Sequence, residues 1–234
     1  MDILGIAITH LTRNEISDRL HQFLAEPKFH RITTVNPEFL LRAEKDEAFH
    51  QALLDADLRV ADGFGIVLAG LWHGKRITRF PGADLMTEIL RIANEKKLSV
   101  YLAVRADGLS TYEEIRTVLQ KKYPDLKING ADIDSKIHDP QFMIHNSITF
   151  CNFGAPEQEI FLDSLKDQNG IRLALGVGGA FDYLTGKQKR APRWLRTIGL
   201  EWCWRLMQQP KRWRRIWNAV VVFPFRVLSA TIQK

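Results

Sequence analysis

Cysteine is scarce in this 234-residue sequence: Cys151 and Cys203 are the only two. So few, so far apart, they supply neither a disulfide framework nor the paired spacing of a zinc site. The opening "MDILGIAITH" lacks the basic segment and small-residue cleavage site of a secretory signal, so a cytoplasmic protein is expected. Long apolar runs are missing as well. "AVVVFPF" from Ala219 falls far short of the roughly 20 residues a bilayer crossing needs, and Pro224 and Arg226 interrupt it. Internal repeats and low-complexity linkers are absent, and 45% hydrophobic content over this length is enough to bury one full core. The last scarcity is local, because acids vanish from the C-terminal region. From Lys187 onward there are twelve Lys and Arg against one acid, Glu201, a net of +11; the whole chain is +6, so residues 1–186 carry −5. An acidic body with a basic tail points to a polyanionic partner.

What is present is an alternation of short apolar runs and longer helical patterns. "ILGIAI" (3–8), "RITTV" (31–35), "LRVAD" (58–62), "LSVYLAV" (98–104), "SITFCNF" (147–153) and "IRLALGV" (171–177) read as strands. Such alternation is the signature of a mostly parallel, Rossmann-like α/β sheet with flanking helices. Thr12 with Glu15 forms a capping box opening a helix to about Ala25, and Pro37 sits where a first helical residue belongs. Further helices are expected over about 83–97 and 109–123.

In open α/β sheets ligands bind beyond the carboxyl ends of the strands. Here those segments are polar and glycine-rich: "TTVNPEF", "ADGFGIV", "FGAPEQE" and "GVGGAFD". Taken singly, Thr34, Asn36 and Pro37 read as strand end, helix cap and first turn, the commoner role for such residues, and Asp62 with Gly63 as a turn. Gly176, Gly178 and Gly179 read as a tight turn or as part of a dinucleotide fingerprint. Phe181 stands where that fingerprint needs its third glycine, and the stretch that follows is almost wholly basic, so the NAD reading is rejected.

Taken together, "TVNPEF", "ADGFGIV", "RFPGADL", "FGAPEQE", "GVGGAFDYLTGKQKRAPRW" and "GLEWCWRLMQQPKRW" resemble, in this order, the WecG/TagA/CpsF glycosyltransferases (glycosyltransferase family 26). The match runs from about Thr33 to Trp213. The resemblance implies an inverting enzyme that moves N-acetylmannosamine, its uronic acid or glucose from a UDP-sugar onto a polyprenyl-diphosphate-linked sugar at the cytoplasmic membrane face. It places the catalytic base at Asp62 and Arg79 in the same pocket. Thr34 and Asn36 would orient hydroxyls, and Gln158 looks like a further sugar-positioning group. The nucleotide would lie over Gly176, Gly178 and Gly179, with Asp182 either accepting from the uracil or capping a turn. Two departures stand out. Val104 and Arg105 replace a Gly-Gly loop, and the segment around Asp139–Ser147 is too short for the family's usual helix, so that sheet edge should be rebuilt or shortened.

No metal site or other cofactor is expected. "DAD" at 55–57 and "DID" at 132–134 match no family motif and read as solvated turns. The charge of the leaving diphosphate would then fall to the tail, where Arg205, Arg212 and Arg215 match the family's arginine positions and guanidinium grips phosphate in a bidentate fork. Trp213, Ile216, Trp217 and Val220 form an i, i+3, i+4, i+7 stripe among Lys211, Arg212, Arg214 and Arg215, which suits an interfacial helix on an anionic membrane. The other use of such a stripe is to pack on the body or on a second copy, which leaves a homo-oligomer open. A nucleic-acid partner is disfavoured by the acidic body, and a non-catalytic scaffold by the presence of Thr34, Asn36, Asp62 and Gln158. The division expected is a glycosyltransferase core over 1–190 and a membrane-associating, site-completing appendage over 191–234, the protein lying on the inner face of the cell membrane. Pro210 should break the helix between these two jobs of the tail.

Overall fold

The structure, a computed structural model, describes residues 1–134 and 147–232. It opens on a small antiparallel ribbon, β1 (Asp2–Ile3) and β2 (Ile6–Ala7). The run 3–8, expected as one sheet strand, is instead two: Leu4 and Gly5 take φ of 51° and 81°, which reverses the chain. A helix, α1 (Arg13–Ala25), follows with the expected Thr12–Glu15 capping box in place.

The main sheet is built from β3 (His30–Val35), β4 (Leu58–Ala61), β5 (Ser99–Arg105), β6 (Lys127–Ile133), β7 (Ile148–Cys151) and β8 (Leu173–Gly176). Among the described residues its six strands are all parallel, in the order β4-β3-β8-β7-β5-β6. Every residue of β3, β7 and β8 is buried, as strands covered on both faces require. The edge strand β6 did not stand out as apolar, because only one face of "KINGADI" is covered; it nevertheless pairs with β5 over seven residues. The expectation of a rebuilt or shortened connection falls within 135–146, outside the described residues.

Helices α2 (Pro37–Ala43), α3 (Glu47–Leu54) and α4 (Phe64–Trp72) cover one face, while α1, α5 (Gly82–Glu95), α6 (Tyr112–Lys122) and α8 (Ala180–Leu184) cover the other. A third apolar cluster lies under α7 (Glu157–Asp163). Arg31 is wholly buried and paired with Glu159 at 3.4 Å and Asp163 at 3.1 Å, which ties β3 to α7. Two aspartate pairs are not the solvated turns expected of them. Asp57 accepts from the Arg31 backbone N–H at 2.8 Å and faces His30, and Asp132, inside β6, accepts from the Tyr112 N–H at 2.8 Å. Each holds backbone that would otherwise lack a partner.

The tail runs through α9 (Arg193–Thr197) and α10 (Glu201–Gln208), a single 3₁₀ turn at Pro210–Arg212, then α11 (Trp213–Trp217) and α12 (Phe223–Ile232). The helix does break at Pro210. Beyond it α11 and α12 run on without interruption through a π turn, Asn218–Val222. Pro224 lies just past that turn and offers no N–H to the carbonyl four residues back, a local cause of the wider turn. Phe223 and Val227 are buried in the same cluster as Ile66, Ala69 and Ile77, so the end of the tail packs on α4.

Candidate active site

β5 leads outward to the edge strand β6, whereas its neighbour β7 leads the opposite way to β8. Strands leaving in opposite directions open a crevice beyond their carboxyl ends. A cavity of about 380 Å³ lies there, over the ends of β3, β4, β5, β7 and β8 and bordered by tail residues. A second cavity of about 270 Å³ opens between α4 and the tail helix. Asn36, Asp62, Glu201, Arg205, Arg212 and Arg215 line both, so the two meet at Asp62.

Asp62 is the first residue after β4, and its N–H is held by the Val35 carbonyl at 2.9 Å. Burial pushes its carboxyl above the ordinary range; the cations of Arg205 and Arg79 oppose the shift and the Glu201 carboxylate adds to it. Gly63 and Gly65 follow because Pro37 lies against both, and a Cβ at either would collide with its ring. Thr34, at the end of β3, sits beside Gly82 on the cavity wall. Asn36 caps α2: its Oδ1 accepts from the N–H groups of Glu38 and Phe39 at 3.0 and 3.1 Å, on the wall of both cavities.

Gln158 is buried, with both ends of its amide hydrogen-bonded. Its Oε1 accepts from the N–H groups of Gly154 at 3.2 Å and Gly178 at 3.3 Å, and its Nε2 donates to Glu159 at 3.0 Å. It thereby braces the loops after β7 and β8 against each other. Gly176 is required by that brace, since a Cβ there would overlap Gln158 and Glu159. Gly178, at φ 48°, and Gly179 have no such crowding and present open backbone to the cavity. The Oδ1 of Asp182 accepts from the Ser110 hydroxyl at 2.8 Å and fixes the carboxylate on the wall. Arg105, the departure noted at the end of β5, also reaches this wall, held by Asp107 and by the Phe153 carbonyl at 3.1 Å.

Arg79 is brought beside Asp62 because residues 79 and 80 run parallel to the end of β4. Its guanidinium donates to the Asp62 carbonyl at 2.6 Å, the Arg196 carbonyl at 2.8 Å and Glu201 at 2.8 Å. Glu201 in turn meets Arg205 at 3.3 Å. Burial alone would raise the pKa of Glu201, but Arg205 and Arg79 outweigh it and hold the group ionised. Sequence reasoning counted this residue as the tail's lone acid and did not use it; that isolation among cations was the available signal.

The three tail arginines differ. Arg205 lies over Tyr183, and Arg215 grips Glu38 at 2.9 and 2.8 Å. Arg212 has no ion pair among the described residues, and burial followed by repulsion from Arg215 and Arg205 pulls its pKa down. A half-desolvated cation between two others is a place for an anion. Among the described residues no three His, Cys, Asp or Glu side chains converge as metal ligands, and no helix is long and apolar enough to cross a membrane.

The sequence profile described as "Glycosyl transferase WecG/TagA/CpsF family" matches residues 1–234. A Bacillus subtilis (strain 168) protein named N-acetylglucosaminyldiphosphoundecaprenol N-acetyl-beta-D-mannosaminyltransferase is 31% identical over 79% of this chain and 74% of its own length. A Staphylococcus aureus (strain MW2) protein of the same name is 27% identical over 98% of this chain and 92% of its own. With the profile spanning its whole length and a crevice of this construction, the chain belongs to the WecG/TagA/CpsF family of glycosyl transferases.

Proposed function

We propose that the chain transfers a sugar, with inversion, from a UDP-sugar to a saccharide carried on a polyprenyl diphosphate, in the synthesis of a cell-surface polymer. The observation that carries this reading is the meeting of two unlike cavities at the Asp62 carboxylate. The first, polar and glycine-floored, suits the donor: nucleotide over Gly178 and Gly179 with Asp182 toward the base, and sugar toward Thr34 and Asn36. The second, walled by Phe64, Leu68, Ile216, Val220 and Pro224, suits the first units of an isoprenoid. The relatives' names supply the acceptor class and make UDP-N-acetylmannosamine the first donor to test.

In the reaction the acceptor hydroxyl attacks the anomeric carbon and gives its proton to the Asp62 carboxylate. The bond from that carbon to the diphosphate breaks, and its electron pair leaves with UDP. A raised pKa makes Asp62 a better base than an exposed aspartate, provided it is ionised at working pH. Arg212, with Arg205 beside it, offsets the charge growing on the diphosphate. Gln158 and Arg79 serve as braces that hold the loops and the tail in place. Residues 1–190 form the catalytic core and 191–234 an appendage that completes the site and, through its Trp and Arg residues, rests on the anionic inner face of the membrane.

A panel of UDP-sugars assayed with a short-chain lipid-diphosphate GlcNAc acceptor tests the reading. Asp62→Asn should lower turnover roughly 10² to 10⁴-fold while UDP affinity stays within a factor of a few. Near-normal turnover in that variant would remove Asp62 from the mechanism, and no transfer from any donor would remove the function.

A further inference from the structure

Helix α4, "FGIVLAGLW", contains no polar side chain. A helix apolar on every side belongs in a core or in lipid, yet only Ile66, Ala69 and Gly70 of α4 are buried. Phe64, Leu68, Leu71 and Trp72, spaced i, i+4, i+7, i+8, form an outward stripe, with Leu71 52% and Trp72 49% exposed. The tail helix runs beside it in the same direction. Phe64 and Leu68 face Val220 and Pro224 across the second cavity, and at the far end the Thr231 hydroxyl stands 3.5 Å from His73 at the carboxyl end of α4. The stripe Val220, Pro224, Leu228 therefore continues the exposed apolar face of α4, and the second cavity opens between the two helices.

We propose that α4, a helix of the catalytic core, is a membrane-inserting element, and that α4 and the tail helix together form one lipid-facing surface around the mouth of the acceptor cavity. The occupant is a bilayer with anionic headgroups, for two reasons. No acid occurs in residues 63–76 or after Glu201, while Lys75, Arg76, Lys211 and Arg214 supply positive charge around the face. A second copy of this chain, presenting the same acid-free face, would set like charges against each other. Immersion by about 5–10 Å, the depth usual for interfacial helices, would place the cavity mouth at headgroup level, where a lipid-linked diphosphate resides. That orientation rests on the acceptor class proposed above; the membrane contact of α4 does not.

The test replaces Leu71 and Trp72, which line neither cavity, by glutamate in the full chain. Binding is measured by co-sedimentation with vesicles of phosphatidylcholine and phosphatidylglycerol, and turnover separately on a detergent-soluble short-chain acceptor. UDP affinity reports folding, and Leu71→Ser/Trp72→Ser serves as a milder pair should the charged pair fold poorly. We expect vesicle affinity to fall about tenfold or more as two large apolar groups leave the interface, with soluble turnover unchanged. Vesicle binding equal to wild type in both pairs would overturn the proposal. So would a change of association state in sizing experiments with vesicle binding unaltered, since the face would then be a contact between copies. Loss of transfer from every UDP-sugar with vesicle binding intact would instead refute the proposed reaction and leave this surface standing.

Discussion

Glu201 is the most informative residue to perturb, because its carboxylate touches both the clamp that holds the tail and the charge that tunes Asp62. Glu201→Gln keeps the shape and one accepting oxygen, for Arg79 or for Arg205 but not for both, and removes the negative charge. That charge is one of the influences raising the pKa of Asp62, and Arg205 and Arg79 act the other way. With it gone only burial opposes the cations, the pKa of Asp62 falls, and the acid limb of kcat/KM against pH moves to lower pH. The same change makes Asp62 a weaker base, so the plateau at neutral pH drops. Glu201→Ala goes further and leaves Arg79 and Arg205 without their shared partner. Breaking a buried ion pair costs about 3–5 kcal/mol. Arg79 is 18% and Arg205 39% exposed, so water replaces part of the interaction and the expected loss of stability is about 1–3 kcal/mol. Initial rates of UDP release across pH, with a denaturant titration of each variant, measure both effects. A Glu201→Gln profile superimposable on wild type, plateau included, would refute the coupling. A limb displaced to higher pH would show that Glu201 acts on Asp62 only through position.

Three further outcomes follow from the same geometry. Arg212→Gln should depress kcat on a soluble acceptor more than Arg215→Gln does, because Arg215 is already gripped by Glu38 whereas Arg212 is not; equal losses, measured by steady-state kinetics without membranes, would count against Arg212 as the diphosphate ligand. EDTA should leave turnover essentially unchanged, since the donor set offers no metal-ligand cluster among the described residues, and loss restored by magnesium or manganese would overturn the arginine account. Gly176→Ala should cost about 1–3 kcal/mol in thermal or denaturant unfolding, as overpacking does, because the new methyl overlaps Gln158 and Glu159; a neutral substitution would show that the brace yields freely.

Much of this chain was legible from local pattern alone. Strand and helix periodicities are properties of a few neighbouring residues, and the capping box at Thr12, the proline at 37 and the break at Pro210 are local steric and hydrogen-bonding facts. Hence the parallel α/β class, the polar loops beyond the strands and the basic aromatic tail could all be read in advance. The run 3–8 misled because its composition is that of a strand, while two left-handed residues turn it back on itself. The edge strand β6 was overlooked because one covered face leaves little apolar signal.

The sequence by itself determined the fold class, most of the alternating elements, the charge asymmetry between body and tail and, through the family's motifs, the candidate base. The tertiary structure alone decided what those residues touch. Arg79 meets Glu201 across 122 positions, Arg215 meets Glu38 across 177, and Gln158 turns inward to join two loops. It also decided that α4, whose composition is that of a core helix, leaves a stripe of large apolar groups uncovered. The physical reason is that propensity and periodicity are short-range, whereas ionic partners and burial depend on which distant surfaces the fold brings together.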